Sequence, residues 1–290
     1  MSYNIGIIGA GKVGYALALA FSKEEYNISG VYCRNENSFR DLCVKIKKDL
    51  NNDIVDTVKN SNIIFLSVSD NSIQSVVRDI VIGVDEEVIK SKTFFHLSGA
   101  LSSDVLSPLK ELGAYTGSIH PIQTFADKGT GWKGLYNICY GFEGDEIASR
   151  QAQMMAQAFN GNMVNLKKED KPLYHAAACI ISNYTVTLSY IATELLAKVG
   201  FDDKTAKQAF LPLVRNTINN LDSHGSINAL TGPISRGDYK VVSEHLEHLS
   251  RLDGELCEIY KVLGRKTIEI ALCKGSLQEK EAGRIESLLS

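Results

Sequence analysis

The chain has 290 residues, 44% of them hydrophobic and 22% charged, with a formal net charge of -3. This mixture excludes an intrinsically disordered chain, and with no basic excess nucleic acid is not expected as a partner. The length favours two domains over one.

In chain order, residues 4–9 (NIGIIG) read as a strand, 12–22 as a helix, 28–34 as a strand and 37–49 as a helix. A short strand is expected at 53–54, a buried strand at 62–68, a helix over 71–81 and a strand at 93–98. A helix at 103–112, strands at 116–121 and 136–144, a helix at 147–159 and a strand at 162–166 complete the first half. Strands alternating with crossover helices imply a doubly wound, mostly parallel α/β sheet of the Rossmann type. After residue 166 only helices are expected, giving an all-α C-terminal domain and a division into 1–166 and 167–290. A helix opens near Pro172 and stops at Gly200, the next runs from Asp202 or Asp203 to Leu221, and 222–237 reads as a loop. Asp238 caps a further helix, a long one covers 252–274, and Ser276 with Glu279 matches a capping box for the last. The helix after Pro172 is apolar almost all round, which suits a buried position against a second copy, so a homodimer through the C-terminal helices is expected.

Six cysteines lie far apart without a C-x-x-C pair, and the apolar N-terminal run is broken by Gly9, Gly11, Lys12 and Gly14. Reduced thiols, no signal peptide, no membrane span and a cytoplasmic location are therefore expected. His245 and His248 share a helical face in a charged context that reads as solvated, so no metal site is expected.

The motif Gly9-Ala10-Gly11-Lys12-Val13-Gly14 follows a strand and opens a helix. In that context the first glycine allows the tight turn, the second lets a pyrophosphate approach the backbone, and the third lets helix and strand come close. The helix N-terminus then offers N–H donors to phosphate. At the end of the second strand stand Arg34 and Asn35, where an NAD site would carry an acid. A guanidinium suits a 2′-phosphate, which favours NADP(H) over NAD(H); the plainer alternative is a solvated loop arginine.

Ligands of open α/β sheets lie beyond the carboxyl ends of the strands. Those ends carry Ser67, Val68 and Asp70, then Ser98 and Gly99, then His120, Gln123 and Thr124. Each cluster has a structural alternative: a helix cap for Ser67 to Asp70, a turn for Ser98-Gly99, and a backbone-bonded ring for His120. His175, Cys179 and Ser182 share one face of the long helix with Asn183 at its edge, either as core hydrogen bonding or as a ligand stripe. Arg236, in the turn-rich TGPISRGD segment, could clamp an anionic substrate group or stand solvated beside a capping Asp238.

The stretches GIIGAGKVG, VYCRN, LSVSD, HLSGAL, SIHPIQTF, YHAAACIISNY, LPLVRNTINNL and LTGPISRGD together resemble the Rossmann-like, NADP oxidoreductase-like family whose helical second domain is of unknown function. More remotely the layout is similar to pyrroline-carboxylate reductase, 6-phosphogluconate dehydrogenase and deazaflavin-dependent NADP reductases, which implies a substrate cleft between a Rossmann domain and a dimer-forming helical domain. Hydroxyacid dehydrogenases of that wider group carry a lysine followed four residues later by Asn. Here Lys171 is followed by His175, so that catalytic lysine is not carried over.

The expectation is an NADP-dependent oxidoreductase acting on a small C=O or C=N substrate. His120 and His175 are the acid/base candidates, because imidazole titrates near neutrality. Ser98 and Asn183 would orient the substrate, with Gly99, Gln123, Thr124, Cys179, Ser182 and Arg236 around it. A non-catalytic NADP(H) sensor or scaffold and a deazaflavin-dependent reductase are the alternatives.

Overall fold

The computed structural model describes residues 3–290. The chain divides into two compact units, one ending at Thr187 and the other beginning at Leu188, so that the break falls inside a helix.

The first unit opens with β1 (Asn4–Ile8), α1 (Lys12–Lys23), β2 (Asn27–Tyr32), α2 (Glu36–Ile46), α3 (Ile54–Asn60) and β3 (Ile63–Leu66). It continues with α4 (Asp70–Gly83), the single turn α5 (Glu86–Ile89), β4 (Thr93–His96), α6 (Ser107–Glu111) and β5 (Tyr115–Pro121). Then follow β6 (Cys139–Gly144), α7 (Glu146–Ala158), β7 (Asn162–Asn165) and the start of α8 (Lys171–Lys198). The seven strands lie in the order β2-β1-β3-β4-β5-β6-β7. All neighbours are parallel except β5 and β6. This is the expected doubly wound sheet. Chain order reverses at β1, which lies between β2 and β3, and such a switch point leaves a crevice beyond the carboxyl ends of the strands.

Both faces of the sheet are covered. On one, α1 is buried almost all round, from Gly14 to Phe21. Its Phe21 meets Phe65 and Phe159 with ring centroids 5.4 and 5.0 Å apart. On the other, Ile73, Val77 and Ile80 of α4 join Ile64, Leu66 and Phe94 of the strands and Leu109 of α6. These central strands are buried on both sides, so their sequences read as apolar runs rather than as alternation.

Several expected elements differ. Residues 53–54 form no strand; Asp53 caps α3 by accepting from the Asp56 amide at 2.8 Å. β6 begins at Cys139, three residues later than expected, because Asn137 holds a φ of +58° that a strand does not admit. Ahead of it, residues Gly131–Leu135 form a 3-10 turn that carries Trp132 against α1 and buries Leu135 completely.

The second unit comprises the end of α8, then α9 (Asp203–Asn228), α10 (Tyr239–Leu252), α11 (Gly254–Lys274) and α12 (Glu279–Leu289). Its core joins Val242 and Leu246 of α10, Ile268 and Ala271 of α11, and Ile285 and Leu289 of α12. The segment 222–237 is not all loop: α9 continues to Asn228 across a break at Gly225, whose φ of 73° and ψ of 169° interrupt the helix without ending it. The capping box is Gln278 with Glu281, not Ser276 with Glu279. Ser276 is spent closing α11, with its amide bonded to the Ala271 carbonyl after the left-handed Gly275. Among the described residues no helix is long and apolar enough to cross a membrane.

At the end of β4, His96 is fully buried. Its Nδ1 accepts from the Ser98 amide at 3.2 Å, so Nε2, 3.0 Å from the Ser102 carbonyl oxygen, carries the proton and donates it. Protonating Nδ1 would set two donors against each other. Burial, the largest influence, pushes this imidazole down to about 4. Because the folded value lies below the unfolded one, the unfolded chain binds the extra proton first, and stability falls as pH drops from the ordinary histidine range towards about 4. Nitrogen-15 histidine spectra are expected to show His96 as the neutral Nε2–H tautomer at about pH 5, well below the ordinary histidine range; a midpoint in that ordinary range contradicts this.

Candidate functional site

The glycine turn after β1 forms one wall of the switch-point crevice. Gly9 has a φ of +103°, and a Cβ there would lie 2.4 Å from the Ser67 carbonyl oxygen. A Cβ on Gly14 would lie 2.0 Å from the Gly9 carbonyl oxygen. These two glycines let the turn, α1 and the end of β3 approach one another. Gly11 differs: a Cβ there would meet nothing within 4 Å, so its bareness serves the open side.

Two adjoining hollows occupy that open side. One, of about 540 Å³, runs from Gly9, Ala10 and Gly11 past Ser67 and Val68 to Arg34, Asn35, Ser38 and Lys128. The other, of about 440 Å³, runs from Gly11, Lys12 and Val13 past Ser67, Val68 and Asp70 to Leu97, Ser98, Gln123 and Phe125. Gly11, Ser67 and Val68 border both, so the two make one trough along the strand ends. A trough with bare backbone at its middle and cationic side chains at one end fits an extended dinucleotide.

At the Arg34 end, the acid nearest the end of β2 is not available. Glu36 accepts from Arg40 Nε and from Asn52 Nδ2, both at 2.9 Å, and does not border the trough. Those donors hold its carboxyl below the usual range. Arg34 is exposed, and Asn35 caps α2 by accepting from the Ser38 amide at 2.9 Å.

At the other end stands Ser98, and its hydroxyl is fully committed. Ser98 Oγ donates to Asp70 Oδ2 at 2.7 Å and accepts from the amides of Ala100 and Leu101 at 3.2 and 3.0 Å. Its carbonyl oxygen accepts from Ser118 Oγ and from Lys171 Nζ, each at 3.1 Å. Lys171 Nζ also donates to Ser118 Oγ at 2.6 Å. This lysine, the first residue of α8, is fully buried. Burial pulls its ammonium down to about 8, opposed by the negative charges of Glu143 and Asp70.

One turn further, α8 brings Tyr174 and His175 to the next residue of the β4 loop, Gly99. A Cβ on Gly99 would fall 2.5 Å from His175 Nδ1 and 2.9 Å from His120 Cε1, so only glycine admits both rings. His120 Nδ1 lies 2.8 Å from the Tyr174 hydroxyl, and the two histidine rings meet edge-on at 5.8 Å. His175 Nε2 is 3.7 Å from Cys179 Sγ, while His175 Nδ1 is buried and has no hydrogen-bond partner. Burial pushes His120 down to about 4, helped by His175 and Lys171, so it stays neutral near pH 7 instead of titrating there as expected for free imidazole. Burial raises the Tyr174 phenol to about 12.

Ser98, Gly99, Asp70, His120 and His175 thus come together. Gln123 borders the trough, with its Oε1 accepting from the Thr124 amide at 2.8 Å, and Thr124 is exposed. Asn183 is exposed and Ser182 half-buried, two turns beyond His175, and among the described residues no hydrogen bond links either to the histidines. In the second unit, exposed Arg236 pairs with Asp238 at 2.9 Å, and Asp238 stands at the α10 N-cap without a side-chain capping bond. His245 is bonded to Tyr260 and His248 to the Glu244 carbonyl. Lys171, Tyr174 and Ser118 were not expected in the site. The spacing i, i+3, i+4 from Lys171 to Tyr174 and His175 puts these three on one helical face, which is a signal for the lysine and the tyrosine but not for Ser118 in β5.

Residues 1–121 match the family model of a Rossmann-like domain, and residues 138–267 match the model of a domain of unknown function, DUF2520. No curated protein matches the sequence significantly. Among solved structures, a protein of Bacteroides fragilis described as an NADP oxidoreductase is 24% identical over 92% of this chain and 98% of its own, with a TM-score of 0.74. A Thermotoga maritima protein is 23% identical over 93% of this chain and 99% of its own, with a TM-score of 0.72. A pyrroline-5-carboxylate reductase of Coxiella burnetii is 16% identical over 94% of this chain and 99% of its own, with a TM-score of 0.61. These likenesses extend over the α/β sheet and the helices that follow it, and with the two domain matches they identify the chain as a Rossmann-like domain followed by a DUF2520 domain.

Proposed function

We propose that the protein is an NADP(H)-dependent oxidoreductase that passes a hydride between the nicotinamide and a small C=O or C=N substrate. The observation that carries this reading is the continuous trough from Arg34, past the bare face of Gly11, to Ser98, whose next residue, Gly99, packs against the two histidine rings. The description of the Bacteroides protein as an NADP oxidoreductase and the naming of the Coxiella protein as a reductase support it.

The bound cofactor supplies or accepts the hydride. The chain's own residues bind, orient and manage a proton. Asp70 and the amides of Ala100 and Leu101 fix Ser98, and Lys171 fixes the carbonyl behind it. His175 Nδ1 is the buried polar atom in this cluster without a protein partner, and it is the group assigned to touch a substrate oxygen or nitrogen. His120, neutral near pH 7, is hydrogen-bonded through Nδ1 to the Tyr174 hydroxyl and holds the His175 ring edge-on instead of acting as the acid itself. The assembly that goes with this reading is a homodimer through the C-terminal helices, where Tyr190 of α8 and Leu213 and Ile218 of α9 are exposed.

Gly11→Val is expected to fold with an unchanged melting temperature yet lose the thermal shift given by NADPH; retained binding removes the nucleotide reading. Across a panel of carbonyls and imines, His175→Ala is expected to lower kcat about a hundredfold with the Kd for NADPH unchanged, whereas a wild-type protein that binds NADPH and oxidises it with no substrate in the panel is a sensor. Light scattering is expected to give twice the chain mass in solution, and a monomer mass rejects the dimer.

A further inference from the structure

Lys128 lies in the segment between β5 and β6, ninety positions from Ser38, yet its Nζ donates to Ser38 Oγ at 2.7 Å. The segment is held in place at both sides of the lysine. Asp127 accepts from the Thr130 amide and hydroxyl, both at 2.8 Å, which closes a turn around Lys128. Directly after it the Gly131–Leu135 turn sits on α1, with Leu135 fully buried. The ammonium also stands over the ring of the buried Tyr15, 5.7 Å from its centroid.

Lys128, from the segment between β5 and β6, and Arg34, just after β2, border the same hollow. Among the described residues neither has a carboxylate within ion-pair distance, although Arg40, close by on α2, is paired with Glu36. An ammonium has three donors, and Ser38 takes one of them. The end of the trough therefore offers a guanidinium fork, two ammonium donors and a hydroxyl to one ligand, and the nearest glutamate is occupied elsewhere. A group with several anionic oxygens satisfies such a set, and two ribose hydroxyls do not.

We propose that Lys128 is a specificity-determining residue that, together with Arg34, binds the 2′-phosphate of the bound nucleotide. This rests on the nicotinamide-nucleotide reading above and adds to it a residue from the segment between β5 and β6. The probes are adenosine 2′,5′-bisphosphate and adenosine 5′-monophosphate, titrated calorimetrically against wild type, Lys128→Ala and Lys128→Arg. Wild type is expected to bind the bisphosphate more tightly than the monophosphate. Lys128→Ala is expected to weaken the bisphosphate about tenfold and leave the monophosphate unchanged, and Lys128→Arg to restore most of the loss. If wild type prefers the bisphosphate and Lys128→Ala keeps that preference, or loses both probes equally, the role of Lys128 is overturned and the nucleotide reading stands. If wild type does not distinguish the probes, the NADP reading falls and this inference falls with it. Unchanged melting of the alanine variant shows that the effect is local, since Lys128 is only half-buried on a loop.

Discussion

A single buried ammonium organises the site. Lys171 ends up buried beside β5 and the turn after β4 with only neutral acceptors in direct contact, the Ser98 carbonyl and the Ser118 hydroxyl. Removing a charge from water is costly, and two neutral hydrogen bonds offset only part of that cost. The lowered lysine reflects the remainder, and the more distant carboxylates of Asp70 and Glu143 keep it from falling further. In return, three segments are tied at one point: the loop after β4 through Ser98, β5 through Ser118 and α8 through the lysine itself. Everything above that point, the saturated Ser98 hydroxyl, the bare Gly99 and the two histidine rings, depends on this tie for its position.

The glycines differ in what they make room for. Gly9 and Gly14 are bare because backbone from β3 and from the turn itself comes too close for a side chain. Gly99 is bare because two imidazoles come too close. Of these four, Gly11 alone is bare towards empty space, and it lies where the two hollows of the trough meet. Sequence alone cannot tell these cases apart, since all four letters are the same.

The fold was legible where its cause was local. The apolar runs of β1, β3 and β4, the glycine turn and the helix that follows it are readable because burial on both sheet faces and a phosphate-type turn leave marks within a few residues. The errors came where one backbone angle decided the outcome: Asn137 delaying β6, Gly225 interrupting α9 without ending it, and Ser276 being used by the preceding helix. At the candidate site, strand ends and helix spacing single out Ser98, His120 and His175, which the fold brings together. Lys171 does not fit the lysine–asparagine pattern of hydroxyacid dehydrogenases, because the residue four positions on is His175, yet the same spacing puts it on the histidine face. Lys128 left no mark at all, because only the fold brings it to Ser38. The neutrality of His120 is likewise invisible in sequence, being a product of burial and of neighbours contributed by α8.

Trp132 is the one tryptophan of the chain. It sits in the short turn directly after the Lys128 loop, with Lys23 of α1 over its ring at 4.3 Å and Tyr136 edge-on at 6.0 Å. Indole emission from this protein therefore has a single origin. The chain carries its own optical probe of the segment that borders the cleft, and the colour and quenching of that emission report on how this segment is seated without any label being attached.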